Sequence, residues 1–298
     1  MSSRDANAAQ LSSWIDVTAC NRGSRAIACF AAETIALRAR RRRNDLASGS
    51  VYLAFDEFSG REVALKFYEA GKSADVSNFA RSQFLTEAAL AGRLWHPHIA
   101  LILDACSDDS ISYVVTEFVP GGSLSQFTGP RGLLSVPEVV EIGFKCSGAL
   151  DYAFRNNVIH RDIKPANILR TSGTEVKVSD FGIAFLRNAN HTQMMSVGSP
   201  YYASPEQATG EDVSHRSDMF SLGVVHYEML AGRRPFTGES GGKVLFNLVS
   251  NDPEPLLRLR PDLPPALGER CQRRFVRALL RTLADRLALS NVRISRMG

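Results

Sequence analysis

No stretch of about 18 consecutive apolar residues occurs in this sequence, so it offers no membrane span. The N-terminus lacks the charged-then-apolar pattern of a secretion signal. Cysteine is sparse and odd in number: five residues, at 20, 29, 106, 146 and 271, with no pair at metal-site spacing. That excludes a disulfide framework and a zinc finger, and leads us to expect a reduced, cytoplasmic compartment. Internal repeats and long low-complexity linkers are missing too. Charge of one sign is not in large excess, since the net charge is only +4. This is too mild by itself to imply a nucleic-acid partner. What is present is ordinary for a soluble globular protein: 298 residues, 44% hydrophobic and 22% charged. That length suits one large domain or two lobes.

Two stretches depart from this average. Arg38 and Arg40 to Arg43 put five arginines into six positions. Such a run is usually solvated, and its alternative is an anion-binding patch. The second stretch, Val158 to Gly182, carries chemistry. Arg161, Asp162, Lys164 and Asn167 fall within seven residues. The short apolar-alternating segment Val176-Lys177-Val178 then leads to Asp180-Phe181-Gly182. A hairpin here returns the second carboxylate close to the first. Phosphoryl transfer needs such a set, because the moving group is held by charge and position more than by covalent chemistry. Asp162 can accept the proton of an attacking hydroxyl. Asn167 and Asp180 are hard oxygen ligands suited to Mg²⁺, and Lys164 can neutralise phosphoryl charge.

His160-Arg161-Asp162-Ile163-Lys164-Pro165-Ala166-Asn167 followed by Asp180-Phe181-Gly182 resembles the catalytic and metal-binding loops of eukaryotic-type protein kinases. The bacterial serine/threonine kinases are the most similar group. The resemblance runs over about residues 49 to 286. It implies an α+β, two-lobed protein-kinase-like fold, with a small β-rich N-lobe at about 44–117 and a larger helical C-lobe at about 121–287. Residues 1–43 match poorly, and 288–298 form an unassigned tail.

The resemblance also assigns roles. Lys66, in Val63-Ala64-Leu65-Lys66, matches the lysine on the ATP α and β phosphates, and Glu87 its partner on a helix over about 77–94. Val51 and Ala64 line the nucleotide site. The backbone of Glu117 and Val119 holds the adenine, with Thr116 behind it. Of the G-x-G-x-x-G loop only Gly49 matches; Asn44 and Leu46 take the other two glycine positions. Glycine there lets backbone amides approach phosphate, and Leu46 should hinder that approach. Catalysis falls to Asp162 and Lys164, and the metal, Mg²⁺ or Mn²⁺, to Asn167 and Asp180.

Ser135-Val136-Pro137-Glu138 reads as the capped start of a core helix to about Asn156, in which Cys146 acts as a small hydrophobe. Residues 183–203 match the activation segment, with Thr192 and Ser196 as phosphate acceptors for Arg161 and Ser199 bridging Asp162 and Lys164. Glu206 is expected to pair with Arg286. Asp218 should cap amides at the start of a buried helix over 216–230, including those of the catalytic loop. A last helical region covers 266–287. The N-terminal segment suggests a short helix from Leu11 to Ile15 and a weak strand, Ile35-Ala36-Leu37, which the arginine run interrupts.

The activity implied is a serine/threonine protein kinase that uses ATP on a protein substrate, with a homodimer as a route to autophosphorylation. Nucleic acid is not expected as a partner. The alternative reading is a pseudokinase-like scaffold with weak nucleotide binding, motivated by the degenerate glycine loop.

Overall fold

A computed structural model of the chain describes residues 14–16, 37–46, 49–68, 74–107, 112–181 and 199–264. These separate into two units. One holds the described residues up to Trp95 together with Ala100–Phe118, and the other holds His96–Ile99 and the residues from Val119 on.

Among the described residues, the first unit is an antiparallel sheet with one helix. Its strands are β1 (Trp14–Asp16), β2 (Leu37–Leu46), β3 (Gly49–Asp56), β4 (Arg61–Tyr68), β5 (Ile102–Ser107) and β6 (Ser112–Glu117), in the order β1-β2-β3-β4-β6-β5. Period-two alternation in β4 decides its faces. Val63 and Leu65 are fully buried against Ala54 and Val115, with Tyr52, Phe67, Leu103 and Tyr113 packed around them. Helix α1 (Ala74–Leu90) sets Ala80 and Phe84 against Tyr68 and Val114. The β3–β4 turn is closed by Asp56, whose carboxylate accepts from the amides of Phe58 and Ser59, and by Gly60 at φ +68°.

Two expectations change here. Trp14–Asp16 is a strand, not the opening of a helix, and pairs with Arg38–Arg40. The arginine run does not interrupt a strand; it lies within β2, which pairs with β3 on one side and β1 on the other. Strand propensity depends on what the pleated backbone pairs with, so arginines are accommodated between two partner strands. A register shift between Arg41 and Asp45 absorbs the irregular spacing before the hairpin closes at Leu46 opposite Gly49.

The second unit is helical. Helix α2 (Val136–Arg155) starts with Ser135, whose amide and hydroxyl both donate to the Glu138 carboxylate at 2.9 and 2.8 Å. Its buried stripe, Val139, Ile142, Gly143, Cys146, Ala149, Leu150 and Ala153, follows helical spacing. Burial pushes the Cys146 thiol up to about 12, as befits a packed apolar residue. A two-stranded hairpin follows, β7 (Ile168–Arg170) with β8 (Val176–Val178). Next come α3 (Pro205–Thr209), α4 (His215–Ala231), α5 (Gly241–Ser250) and α6 (Leu256–Leu259). Helix α4 is buried almost all round and ends at Gly232, whose φ of +71° is the left-handed conformation that terminates helices. Its cap is Ser214, which accepts from the Arg216 amide. Asp218 lies inside the first turn.

Candidate active site

Asp218 is the anchor of the catalytic loop. Its two carboxylate oxygens accept from the amides of His160 and Arg161 at 2.8 and 2.7 Å. Those bonds hold Arg161 at φ +67°, a conformation unusual for a side-chain-bearing residue. The Gln207 amide fixes the same residue through its next peptide, donating to the Arg161 carbonyl at 2.9 Å. Gln207 is itself locked, because its Oε1 caps the Ser204 amide at the start of α3.

His160 is fully buried and joins the two halves of the site. Its Nδ1 accepts from the Asp162 amide at 3.3 Å, so its Nε2 carries the hydrogen donated to the Ser179 carbonyl at 2.9 Å. The ring packs on Phe181, 4.5 Å between centroids. Ser179 in turn donates its amide to the Asn167 carbonyl at 2.9 Å. The β7–β8 hairpin thus brings the segment 179–181 back onto the loop, as its sequence suggested. Asp180 follows at φ +65°.

Asp162, Lys164 and Asn167 form one cluster. Lys164 Nζ reaches Asp162 Oδ2 at 2.5 Å, and Asn167 Nδ2 donates to the same oxygen at 3.1 Å and to the Asp162 carbonyl at 2.9 Å. Among the described residues Asp162 Oδ1 has no hydrogen-bond donor, and neither does Asn167 Oδ1 have one. The chemistry of this set is therefore an oriented carboxylate oxygen able to take a proton, beside an amide oxygen able to meet a hard cation. Lys164 meets Asp162 directly, without the bridge expected of Ser199. No group of three or more His, Cys, Asp or Glu able to hold a metal occurs among the described residues. A two-residue oxygen set suits Mg²⁺, which completes its shell with phosphate oxygens and water.

In the first unit, Lys66 Nζ lies 2.9 Å from Glu87 Oε1, and both residues are buried. The ammonium also sits 5.0 Å from the Tyr68 ring centroid. Register places Val51 opposite Lys66, and Ala64 opposite both Leu53 and Thr116, so Val51, Ala64 and Lys66 share one sheet face. Glu117 turns its side chain back to the Leu101 amide at 3.3 Å. In the second unit, the amide and carbonyl of Val119 have no hydrogen-bond partner among the described residues. Gly121 packs so tightly that a Cβ there would lie 1.9 Å from the Arg170 carbonyl oxygen.

Sequence reasoning missed His160 and Gln207 as positioning residues. Their capping-box and loop spacings were visible, but their partners are backbone carbonyls. Glu206 accepts from the Ser217 hydroxyl. Its expected partner Arg286, together with Gly182, Thr192, Ser196 and the helical region at 266–287, lies outside the described residues.

Known proteins of similar sequence identify the family. The protein kinase domain family matches residues 47–281, and the chain belongs to that family. It is 38% identical over 220 residues to the serine/threonine-protein kinase PrkC of Bacillus subtilis, a match that covers 73% of this chain and 34% of PrkC. It is 39% identical over 225 residues to the serine/threonine-protein kinase PknB of Mycolicibacterium smegmatis, covering 73% and 36% respectively. The chain thus spans about a third of the length of the curated relatives it matches. The kinase domain of Mycobacterium tuberculosis PknI, crystallised as a C20A mutant, is 30% identical with a TM-score of 0.61, over 84% of this chain and 91% of that one. The fold is the protein kinase fold, with a β-sheet lobe and a helical lobe.

Proposed function

We propose that the chain is a serine/threonine protein kinase that transfers the γ-phosphoryl group of ATP to a protein hydroxyl. The observation that carries this reading is the Asp162–Lys164–Asn167 cluster, with one carboxylate oxygen committed to Lys164 and Asn167 and the other without a donor among the described residues. Asp162 Oδ1 orients the acceptor hydroxyl and takes its proton. The hydroxyl oxygen bonds to the γ-phosphorus as the bond to the β–γ bridging oxygen breaks, and ADP leaves. Lys164 offsets the charge on the phosphoryl oxygens. Asn167 Oδ1 and the Asp180 carboxylate would hold Mg²⁺ or Mn²⁺, which neutralises phosphate charge when bound. Lys66, steadied by Glu87, pairs with the α and β phosphates. The backbone of Glu117 and Val119 receives the adenine, with Val51 and Ala64 against the base and Gly49 at the phosphate hairpin. Cytoplasmic placement and a homodimer for autophosphorylation belong to the same reading.

The test is ATP-dependent phosphorylation of a generic protein substrate with Mg²⁺, comparing the wild type with Asp162→Asn and Lys66→Ala. Loss of transfer in both variants supports the assignment. A wild type no more active than either variant removes it.

A further inference from the structure

Beyond the catalytic cluster, the second unit holds one arginine in an unusual setting. Arg234 follows the Gly232 stop of α4. Its guanidinium lies 4.1 Å from the Tyr201 ring centroid and 5.6 Å from that of Tyr202. Its Nε is 3.3 Å from Glu228 Oε1, but the N–H is not aimed at that oxygen, and Nε is buried without a hydrogen-bond acceptor. We read this contact as an ion pair that positions the group without satisfying it. The guanidinium also meets the Tyr202 hydroxyl beside that carboxylate. The side chain is 38% exposed, against 7% for Glu228.

Glu228 itself is fully occupied. Its Oε2 accepts from the Tyr202 hydroxyl at 2.6 Å, and its Oε1 faces Arg234. It has neither exposure nor a spare oxygen for an outside cation. The charge this patch presents to solvent is therefore positive, and the exposed part of the guanidinium carries donors of the kind that bind carboxylate or phosphate.

The patch is tied rigidly to the catalytic loop. Ser221 of α4 donates to the Tyr202 carbonyl at 2.7 Å, and Asp218 of the same helix holds the loop amides.

We propose that Arg234 is a specificity-determining residue that binds an anionic side chain of the protein substrate, carboxylate or phosphate, flanking the acceptor hydroxyl. This rests on the kinase reading for its acceptor, but the anion site itself is read by binding alone. Calorimetry on the full chain uses peptides of one sequence around a single threonine, with Glu, Gln, Lys or phosphoserine placed in turn at each of the flanking positions. One position should favour Glu over Gln by about tenfold, with Lys weaker still. In Arg234→Gln that ratio should fall to about one, and Arg234→Lys should keep part of it. Because Arg234→Gln leaves Glu228 without its cation, the pair Glu228→Gln with Arg234→Gln repeats the measurement in a charge-balanced background. Phosphoserine binding tighter than Glu identifies a pre-phosphorylated substrate; the reverse identifies an acidic one. No position with an acid preference in the wild type, or a preference that survives Arg234→Gln, overturns the proposal. Acid preference in binding with no phosphoryl transfer to any peptide removes the kinase reading and leaves the anion site standing.

Discussion

Asp162 and Asp218 are both carboxylates beside the same loop, and they should fail differently when neutralised. Asp162 is needed where the proton moves. Asp162→Asn should lower kcat by about 10²–10⁴-fold, the usual contribution of a positioned general base, with little loss of stability. Asp218 works on the backbone. Asparagine there can accept one amide but must turn its own NH₂ toward the other, so Asp218→Asn should cost about 1.5–3 kcal/mol of stability as well as activity. Urea melts alongside turnover separate the two cases. Glu87 illustrates a third kind of dependence. Removing it takes a carboxylate away from the buried Lys66 ammonium, and Glu87→Ala should cost about 1.5–3 kcal/mol, measured by thermal or chemical unfolding. The chemistry-bearing residues were legible because loops carry them close together in sequence. Asp218 was legible in part: its reach to the loop was anticipated, whereas its place as a cap belongs to Ser214. His160 and Gln207 were not, since each bonds a distant carbonyl oxygen, and every residue has one.

Helices α2 and α4 meet where Gly143 faces His226, and a Cβ on Gly143 would come within 2.2 Å of His226 Nε2. His226 is 1% exposed. Its Nδ1 lies 2.6 Å from the Leu222 carbonyl, to which it donates, leaving Nε2 buried without a partner. Burial pushes this imidazole down to about 4. The folded chain therefore keeps it neutral where the unfolded chain begins to protonate near 6.5. The unfolded state binds the extra proton, so stability is present above pH 6.5 and is lost as pH falls toward 4. The loss at pH 4 relative to pH 7 should be about 3 kcal/mol from this group alone. Urea melts across that range should show it, and His226→Gln should flatten the profile. These helices were readable from their stripes and caps, as was the β3–β4 hairpin from its alternation. Strands β1 and β2 were not. Their pairing decides them, and a run of arginines carries no period-two signal from which to infer it.

At the scale of the whole chain, the open physical question is the nucleotide loop. On the kinase reading, Asn44 and Leu46 take the positions expected to be glycine, and Leu46 is paired in a strand opposite Gly49. On that reading, a residue other than glycine should restrict the approach of backbone amides to phosphate. The charged groups are unaffected: Lys66 is held by Glu87, and the Asn167 amide oxygen lacks a competing donor among the described residues. Metal-dependent and lysine-dependent binding should therefore survive while amide-dependent binding is weakened. Unfolding of the full chain reads this directly, because a ligand that binds only the folded state at 100 times its Kd adds about 2.7 kcal/mol. ATP with Mg²⁺ should raise the unfolding midpoint more than ATP with a chelator. Asp180→Ala should abolish that metal-dependent increment and keep the smaller one. Replacing Asn44 and Leu46 by glycine should raise ATP affinity without changing the increment due to Mg²⁺. A midpoint that ignores ATP in the wild type but responds after the glycine replacements would place the barrier in the hairpin and leave the rest of the site intact.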